Sequence, residues 1–421
     1  MDYINESLKT PVFGEYDVVV AGAGPAGVCA AIAAARNGAK TLLIERYGFL
    51  GGMWSAGFII PLFDFENKHY IVSEIVNELK ARGGWGGYYD IAFDFEIMKK
   101  LLDDMVTQSG AQILFHTFLA GAYCEGEDVK GVFIQNKSGR SLVKAKVVID
   151  CTGDGDVAAS AGVPFTMGRE SDNLCQPVTC MFMLGNIEYM QPHHYAIRDA
   201  VIEAGKACGI PFEFSYKRPF VLQLPNCKRC VVMWNHVRKK PPTDAVAFSE
   251  AELESREEIH RIFHYIKENV PMFKDVELIA IAPQTGVRES RHIHGLYTLE
   301  TDECVNGAQF EDGICDVAFS MDLHLPDRDE QDNIHLKAPY QIPYRCLVPV
   351  NRNGLLVAGR CISGTYETNG SYRVTGDCMA TGQAAGAAAA LAVQQNVRVR
   401  DVDIHKLRGI VAVSYTHLRA H

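Results

Sequence analysis

The sequence has no apolar run long enough to cross a bilayer: its most apolar later stretch, MATGQAAGAAAALAV, covers roughly fifteen residues and is interrupted by Gln383. That stretch reads as a buried helix. No charged segment followed by an apolar one precedes the first strand, and the opening MDYINESLKTPVFGE is polar, so a cytoplasmic protein without a membrane span is expected. Basic charge is also in deficit. A net charge of −10 excludes a general nucleic-acid surface, which needs a basic face. The 13 cysteines are odd in number and scattered through apolar positions, which excludes a disulfide framework and fits a reducing compartment. With 421 residues, 48% of them hydrophobic, the chain can bury a substantial core.

What is present begins at Tyr16. YDVVVAGAGPAGVCAAIAAARNGAKTLLIER reads as a strand, a glycine turn, a helix from about Pro25 to Asn37, and a second strand from Thr41 to Glu45. Gly22, Gly24 and Gly27 fall on G-x-G-x-x-G: one glycine for a tight turn, one for close approach to a pyrophosphate, one for packing helix on strand. The helix N-terminus, with Pro25 and Ala26 in its first turn, aims free N–H groups at that pyrophosphate. Glu45 stands where a carboxylate accepts from an adenosine ribose, and Arg46 beside it is a partner for adenine or phosphate.

Further along, Gly51, Gly52 and Gly57 surround Ser55 in a loop expected to run beneath the ligand, with Ser55 offering its hydroxyl. Helices are expected over 70–82 and 93–108, and a strand over QILFHTFLAGAY, which contains Leu119. A hairpin turning at Lys137, Ser138 and Gly139 leads to a buried strand ending at Asp150, followed by Thr152, Gly153 and Asp154. A glycine and acid cluster at the carboxyl end of a parallel strand is where ligands sit in open α/β sheets.

From about Val163 to Tyr340 the pattern becomes mixed. Phe220–Leu224 and Cys230–Trp234 read as a hairpin, and Ser249 with Glu252 as a capping box opening an amphipathic helix. Arg288, Arg291, His292 and His294 cluster within seven residues, and Asp322 and His324 share one face of an extended segment. The last nine residues, VSYTHLRAH, read as a translated sequencing adapter, so 413–421 are set aside.

Five blocks carry a resemblance: AGAGPAGVCAAIAAARNGAKTLLIER, CTGDGDVAASAGVP, GVRESRHIHGLYTL, IPYRCLVP, and AGRCISGTYETNGSYRV with CMATGQAAGAAAALA. Together, in this order, they resemble the FAD-dependent oxidoreductases whose flavin domain looks like that of the flavin-carrying component of heterodisulfide reductase. The resemblance implies FAD and an α/β chain: a Rossmann-like FAD-binding domain over 12–162 and 341–412, with a mixed α+β substrate domain inserted over 163–340. It implies adenosine along Gly22, Gly24, Gly27 and Glu45, and pyrophosphate and flavin near Gly51, Gly52, Thr152 and Gly153. Gly359, Arg360, Gly382, Gln383 and Ala384 are expected at the ribityl chain and ring. Where many two-dinucleotide flavoproteins carry an acid after the last glycine, this chain has Arg360. Relatives of this type are sometimes tied to an iron–sulfur cluster, which needs about four cysteine thiolates at set spacings. Only Cys227 and Cys230 make a C-x-x-C, so no cluster and no metal is expected within this chain.

With flavin carrying the redox step, the protein must hold a substrate and manage a proton. Arg288 and Arg291 are candidate anion holders; His294, His324 and Tyr344 are candidate acid–base groups; Arg373 is expected near flavin N1 or the substrate. The expected function is hydride transfer between a small polar organic molecule and flavin, with an electron donor or acceptor yet to be named. The alternatives are an electron-transfer flavoprotein subunit of a larger complex and a flavin protein with net non-redox isomerase or lyase chemistry.

Overall fold

The computed structural model describes residues 4, 6–187, 194–209 and 214–413. Its central sheet has seven strands. β1 (Val12–Ala21) pairs in parallel with β2 (Thr41–Ile44) on one side and with Gly139–Asp150 on the other. Gln112–Leu114 extends the sheet beyond β2, also in parallel, and Leu355–Val357 returns from far along the chain to pair in parallel with Gly139–Asp150. The strands Asp128–Asn136 and Phe118–Glu125 close the other edge as an antiparallel pair.

The parallel strands are buried over Val18–Ala21, Thr41–Ile44 and Leu355–Val357, which is why VVVA and LLI are apolar runs with no polar alternation. On one face α1 (Pro25–Arg36) packs against the long alanine-rich helix Thr375–Gln395, buried along most of its length as its composition implies. Small residues set that close spacing. A Cβ on Gly382 would lie 2.0 Å from the Ala26 carbonyl oxygen, and one on Gly386 2.2 Å from that of Ala30.

Two expected elements are arranged differently. QILFHTFLAGAY is broken at Phe115–Thr117, where His116 takes φ 51° and the amides of His116 and Thr117 donate to the Tyr47 and Glu45 carbonyls instead of continuing a ladder. The helix of the 163–340 stretch starts at Ala245, capped by Asp244, whose carboxylate accepts from the Val246 and Ala247 amides at 2.9 Å each. The Ser249–Glu252 box is therefore absent: Ser249 donates back to the Ala245 carbonyl and Glu252 accepts from the Thr285 amide.

The same stretch forms a four-stranded antiparallel sheet in the order Phe220–Gln223, Arg229–Met233, Phe182–Gly185, Glu277–Ile281, so the hairpin across PNCKR is present. A two-stranded hairpin, Met321–His324 with Gln331–Ile334, lies beside helix Tyr366–Tyr372. No helix among the described residues is long and apolar enough to cross a membrane. Of the segment 413–421, Val413 ends the last helix and residues 414–421 lie outside the described residues.

Candidate active site

A cleft opens where β1 hands over to α1. Gly22 turns with φ 90°, and a Cβ there would lie 2.7 Å from the Cys151 carbonyl oxygen. Gly27 is tighter still, its Cβ position 1.8 Å from the Gly22 carbonyl oxygen, so this glycine locks helix to turn. Gly24 differs. It lines the cleft, and a Cβ there meets nothing nearer than the Gly52 Cα at 4.0 Å. No side chain caps α1, which leaves the first-turn N–H groups for a ligand. These are the features a pyrophosphate requires, and the residues present fit a dinucleotide.

Glu45 follows β2, 6% exposed, with one carboxylate oxygen accepting from the Ala23 amide at 2.8 Å and the other from Tyr47 at 2.9 Å. Burial pushes its pKa up against the pull of those two hydrogen bonds. The far wall comes from the end of the Gly139–Asp150 strand. Asp150, fully buried and pushed up to about 6 by burial, accepts from the Thr152 amide and hydroxyl and from the Ala158 amide, which shapes the Thr152–Gly153 turn.

Of the expected cofactor residues, Gly22, Gly24, Pro25, Ala26, Glu45, Arg46, Gly52, Leu119, Thr152, Gly153, Asp154, Gly359 and Arg360 line this cleft. Six do not. Gly27, Gly382 and Ala384 are packing positions; Gly51 donates its amide to the Ala23 carbonyl. Gln383 accepts from the Ile71 amide and faces a separate cleft with Lys68. Ser55, with no exposed surface, has its hydroxyl committed to the Leu50 carbonyl at 2.7 Å and has no proton to offer a ligand. Sequence reasoning missed Met53, Gln284 and Cys378, which also line the cleft. Gln284 Oε1 accepts from both the Arg46 guanidinium and the Tyr47 hydroxyl.

The candidate catalytic residues separate into two groups. Arg288, His324 and Arg373 come together. His324 Nε2 lies 3.4 Å from Asp322 Oδ2, and Arg373 Nη2 lies 3.2 Å from that same oxygen. His236, which no spacing marked, joins them: its Nε2 is 2.9 Å from His324 Nδ1. Burial drives both imidazoles down, His324 to about 4 and His236 well below its ordinary value, and the nearby Arg288 charge adds to this. Both rings are neutral at pH 7. Asp322 is held well below the usual carboxylate range: burial opposes ionisation, but the His324 hydrogen bond and the charge of Arg373 outweigh it.

Arg291, His294 and Tyr344 stand apart from this cluster. Arg291 donates to the Asp154 carbonyl at 2.8 Å and to Asp156 at 2.9 Å, with its guanidinium over the Phe165 ring. His294 is held through its backbone, its amide donating to the Pro164 carbonyl. Tyr344, buried, gives its hydroxyl proton to the Val399 carbonyl at 2.7 Å. The cluster and the cleft meet at Asp154 and Arg360, which line the cleft and pair at 3.0 Å, and the Arg360 charge is felt at Arg373.

A family model described as FAD dependent oxidoreductase matches residues 17–411. Over 171 residues the chain is 31% identical to a thiamine thiazole synthase of Methanococcus aeolicus, a stretch covering 38% of this chain and 61% of that one. Over 203 residues it is 27% identical to a digeranylgeranylglycerophospholipid reductase of Methanosarcina acetivorans, covering 41% and 48%. The chain thus spans about three-fifths, or less, of the length of these curated relatives. Among solved structures, a geranylgeranyl bacteriochlorophyll reductase-like protein of Thermoplasma acidophilum aligns at 15% identity and a TM-score of 0.48, over 96% of this chain and 86% of that one. The family match runs from within β1 into the last helix, and the chain belongs to the FAD dependent oxidoreductase family, with FAD as its cofactor.

Proposed function

We propose that this chain transfers a hydride between a small polar organic substrate and FAD, with the dinucleotide held in the glycine-lined cleft and the substrate in the arginine–histidine cluster. The observation that carries this reading is the junction at Asp154–Arg360, where the cleft adjoins a set of buried polar groups unlike a packing core. FAD supplies the two-electron chemistry. The chain does the rest. The Gly22–Gly27 turn and the α1 N-terminus bind the pyrophosphate, and Glu45 accepts from the ribose. Thr152, Gly153 and Gly359 wall the path toward the cluster. Asp322 orients His324, and the neutral imidazole pair takes up the proton that a hydroxyl or amine sheds as its carbon gives up hydride.

The test is to purify the protein with FAD, record its visible spectrum, and screen pooled small metabolites anaerobically. Loss of the oxidised flavin bands on addition of one metabolite is the expected result. A flavin-loaded protein that no small molecule bleaches, and whose chemically reduced flavin no oxidised candidate product reoxidises, would overturn the reading.

A further inference from the structure

Four guanidiniums bear on this cluster, and three of them have carboxylate partners, Arg238 with Asp329 at 3.4 Å among them. Arg360 pairs with Asp154 at 3.0 Å and Arg373 with Asp322 at 3.2 Å. Arg288 donates only to neutral groups: the Pro177 carbonyl at 2.8 Å, the Thr179 hydroxyl at 2.7 Å, and the Met233 sulfur at 3.2 Å. Among the described residues no carboxylate lies within ion-pair distance of it.

A guanidinium half-buried without an anion is costly, and its surroundings register the cost. Burial, then the repulsion of Arg373, bring the Arg288 pKa down to about 10, so it stays charged at pH 7. Neither imidazole can help, since both are neutral and electron-pair geometry ties them to each other and to Asp322. The Asp322 charge is already shared between Arg373 and His324. Arg288 is left without a carboxylate of its own.

Donors are in surplus as well. Gln176 Nε2 and Arg373 Nε are buried N–H groups with no acceptor, and the buried Tyr216 hydroxyl has no partner. All three belong to residues around the Asp322–His324 pair: Gln176 accepts from the His324 amide, Arg373 pairs with Asp322, and the Tyr216 ring lies 6.0 Å from that of His324. Arg288 is only half-buried, and the Arg373 and Asp322 side chains keep 12% and 24% of their surface accessible. The Arg288, Arg373 and Asp322 side chains can therefore be reached from solvent, with the three unpaired donors buried behind them.

We infer that the substrate carries a carboxylate, and that Arg288 is the group that binds it. This rests on the cluster being the substrate site. A planar guanidinium fork matches the two oxygens of a carboxylate, which would give Arg288 the ion-pair partner it lacks.

The experiment uses the flavin-loaded protein and reads binding without turnover: perturbation of the flavin absorption bands and the melting temperature, on titration with acetate, glycolate, lactate and benzoate, with the matching carboxamides, and with chloride and phosphate. Carboxylates are expected to shift the spectrum and raise the melting temperature, carboxamides to bind at least tenfold more weakly, and chloride and phosphate to compete poorly. Arg288→Met is expected to abolish the carboxylate response while melting no lower than the parent without ligand, because it removes an uncompensated charge. Arg288→Lys keeps the charge without the fork and is expected to weaken binding about tenfold.

Carboxylates and carboxamides binding alike to the unmodified protein, tighter binding of phosphate than of any carboxylate, no response to any of them, or an Arg288→Met protein that binds carboxylates as the parent does would each overturn the inference. Carboxylate binding without bleaching by any metabolite leaves this inference standing and retires hydride transfer. Bleaching by a neutral alcohol with no carboxylate response does the reverse.

Discussion

The imidazoles of His236 and His324 are stacked with ring centroids 4.9 Å apart and Nε2 of the first 2.9 Å from Nδ1 of the second. Because His324 Nε2 faces the Asp322 carboxylate, its proton belongs there, and Nδ1 accepts from His236 Nε2. That leaves His236 Nδ1 bare and without a partner, as observed. Chain order gives no hint of this pairing, since the two residues are 88 positions apart.

The buried neutral pair predicts a pH dependence of stability. His324 has a folded pKa of about 4 against 6.5 in the unfolded chain. As pH falls below 6.5 the unfolded state takes up the proton first, so stability present above 6.5 is lost on the way to 4, by up to about 3 kcal/mol for this residue. Asp150, raised to about 6, works in the opposite sense over part of the same window. The difference between proteins is therefore the clean readout. Thermal melts at pH 7.5 and pH 5 should show a smaller drop for His324→Gln than for the parent; equal drops would contradict the neutral pair.

The fingerprint glycines should fail in different ways. Gly24 faces the cleft with open space at its Cβ position, whereas Gly27 has a carbonyl oxygen 1.8 Å from its own. Gly24→Val is expected to fold and to purify colourless, its side chain blocking the approach of the pyrophosphate. Gly27→Val is expected not to yield folded protein. Absorbance at the flavin bands and a melting curve distinguish them, and a yellow, fully occupied Gly24→Val protein would show the cofactor site to be elsewhere.

Glu45 accepts one backbone N–H on each carboxylate oxygen, an arrangement an amide, with an oxygen on one side only, cannot reproduce. Glu45→Gln turns one of its oxygens into a donor facing the Ala23 or Tyr47 amide, and it removes the acceptor expected at the ribose. Flavin affinity should fall about tenfold, or ~1.4 kcal/mol. Fluorescence titration of the apoprotein with FAD measures it, and an unchanged dissociation constant would remove Glu45 from the site.

The cradle was legible because its chemistry is local: Tyr16 to Glu45 is one strand, one turn, one helix and one strand, each with its own signal. Arg288, His324 and Arg373 were legible by residue type. Their companions were not. His236, Tyr216, Gln176 and Gln284 reach the cleft or cluster from separate strands and loops, and no spacing connects them to it. Ser55 and Tyr344 show the converse, since their hydroxyls had the right chemistry but a nearby carbonyl captured each proton. Gly382 sits in a glycine- and alanine-rich stretch that the resemblance assigns to flavin, yet it lies inside the Thr375–Gln395 helix and its missing side chain serves a helix crossing.

That crossing gives the last prediction. Gly382 and Gly386 lie one turn apart on the long helix, and each faces a carbonyl of α1, Ala26 and Ala30 respectively. One added methyl at Gly382 must push α1 away, and α1 carries the N–H groups proposed to bind the pyrophosphate. Gly382→Ala is therefore expected to cost about 1–3 kcal/mol in urea unfolding and to loosen FAD as well, although residue 382 itself does not line the cleft. Gly409, on the Ile404–Val413 helix, has nothing within 4 Å of its Cβ position. The same exchange there should be neutral or stabilise by about 0.5–1 kcal/mol through helix propensity alone. If both alanines behaved alike, the helix contact would not be what holds the dinucleotide turn in place.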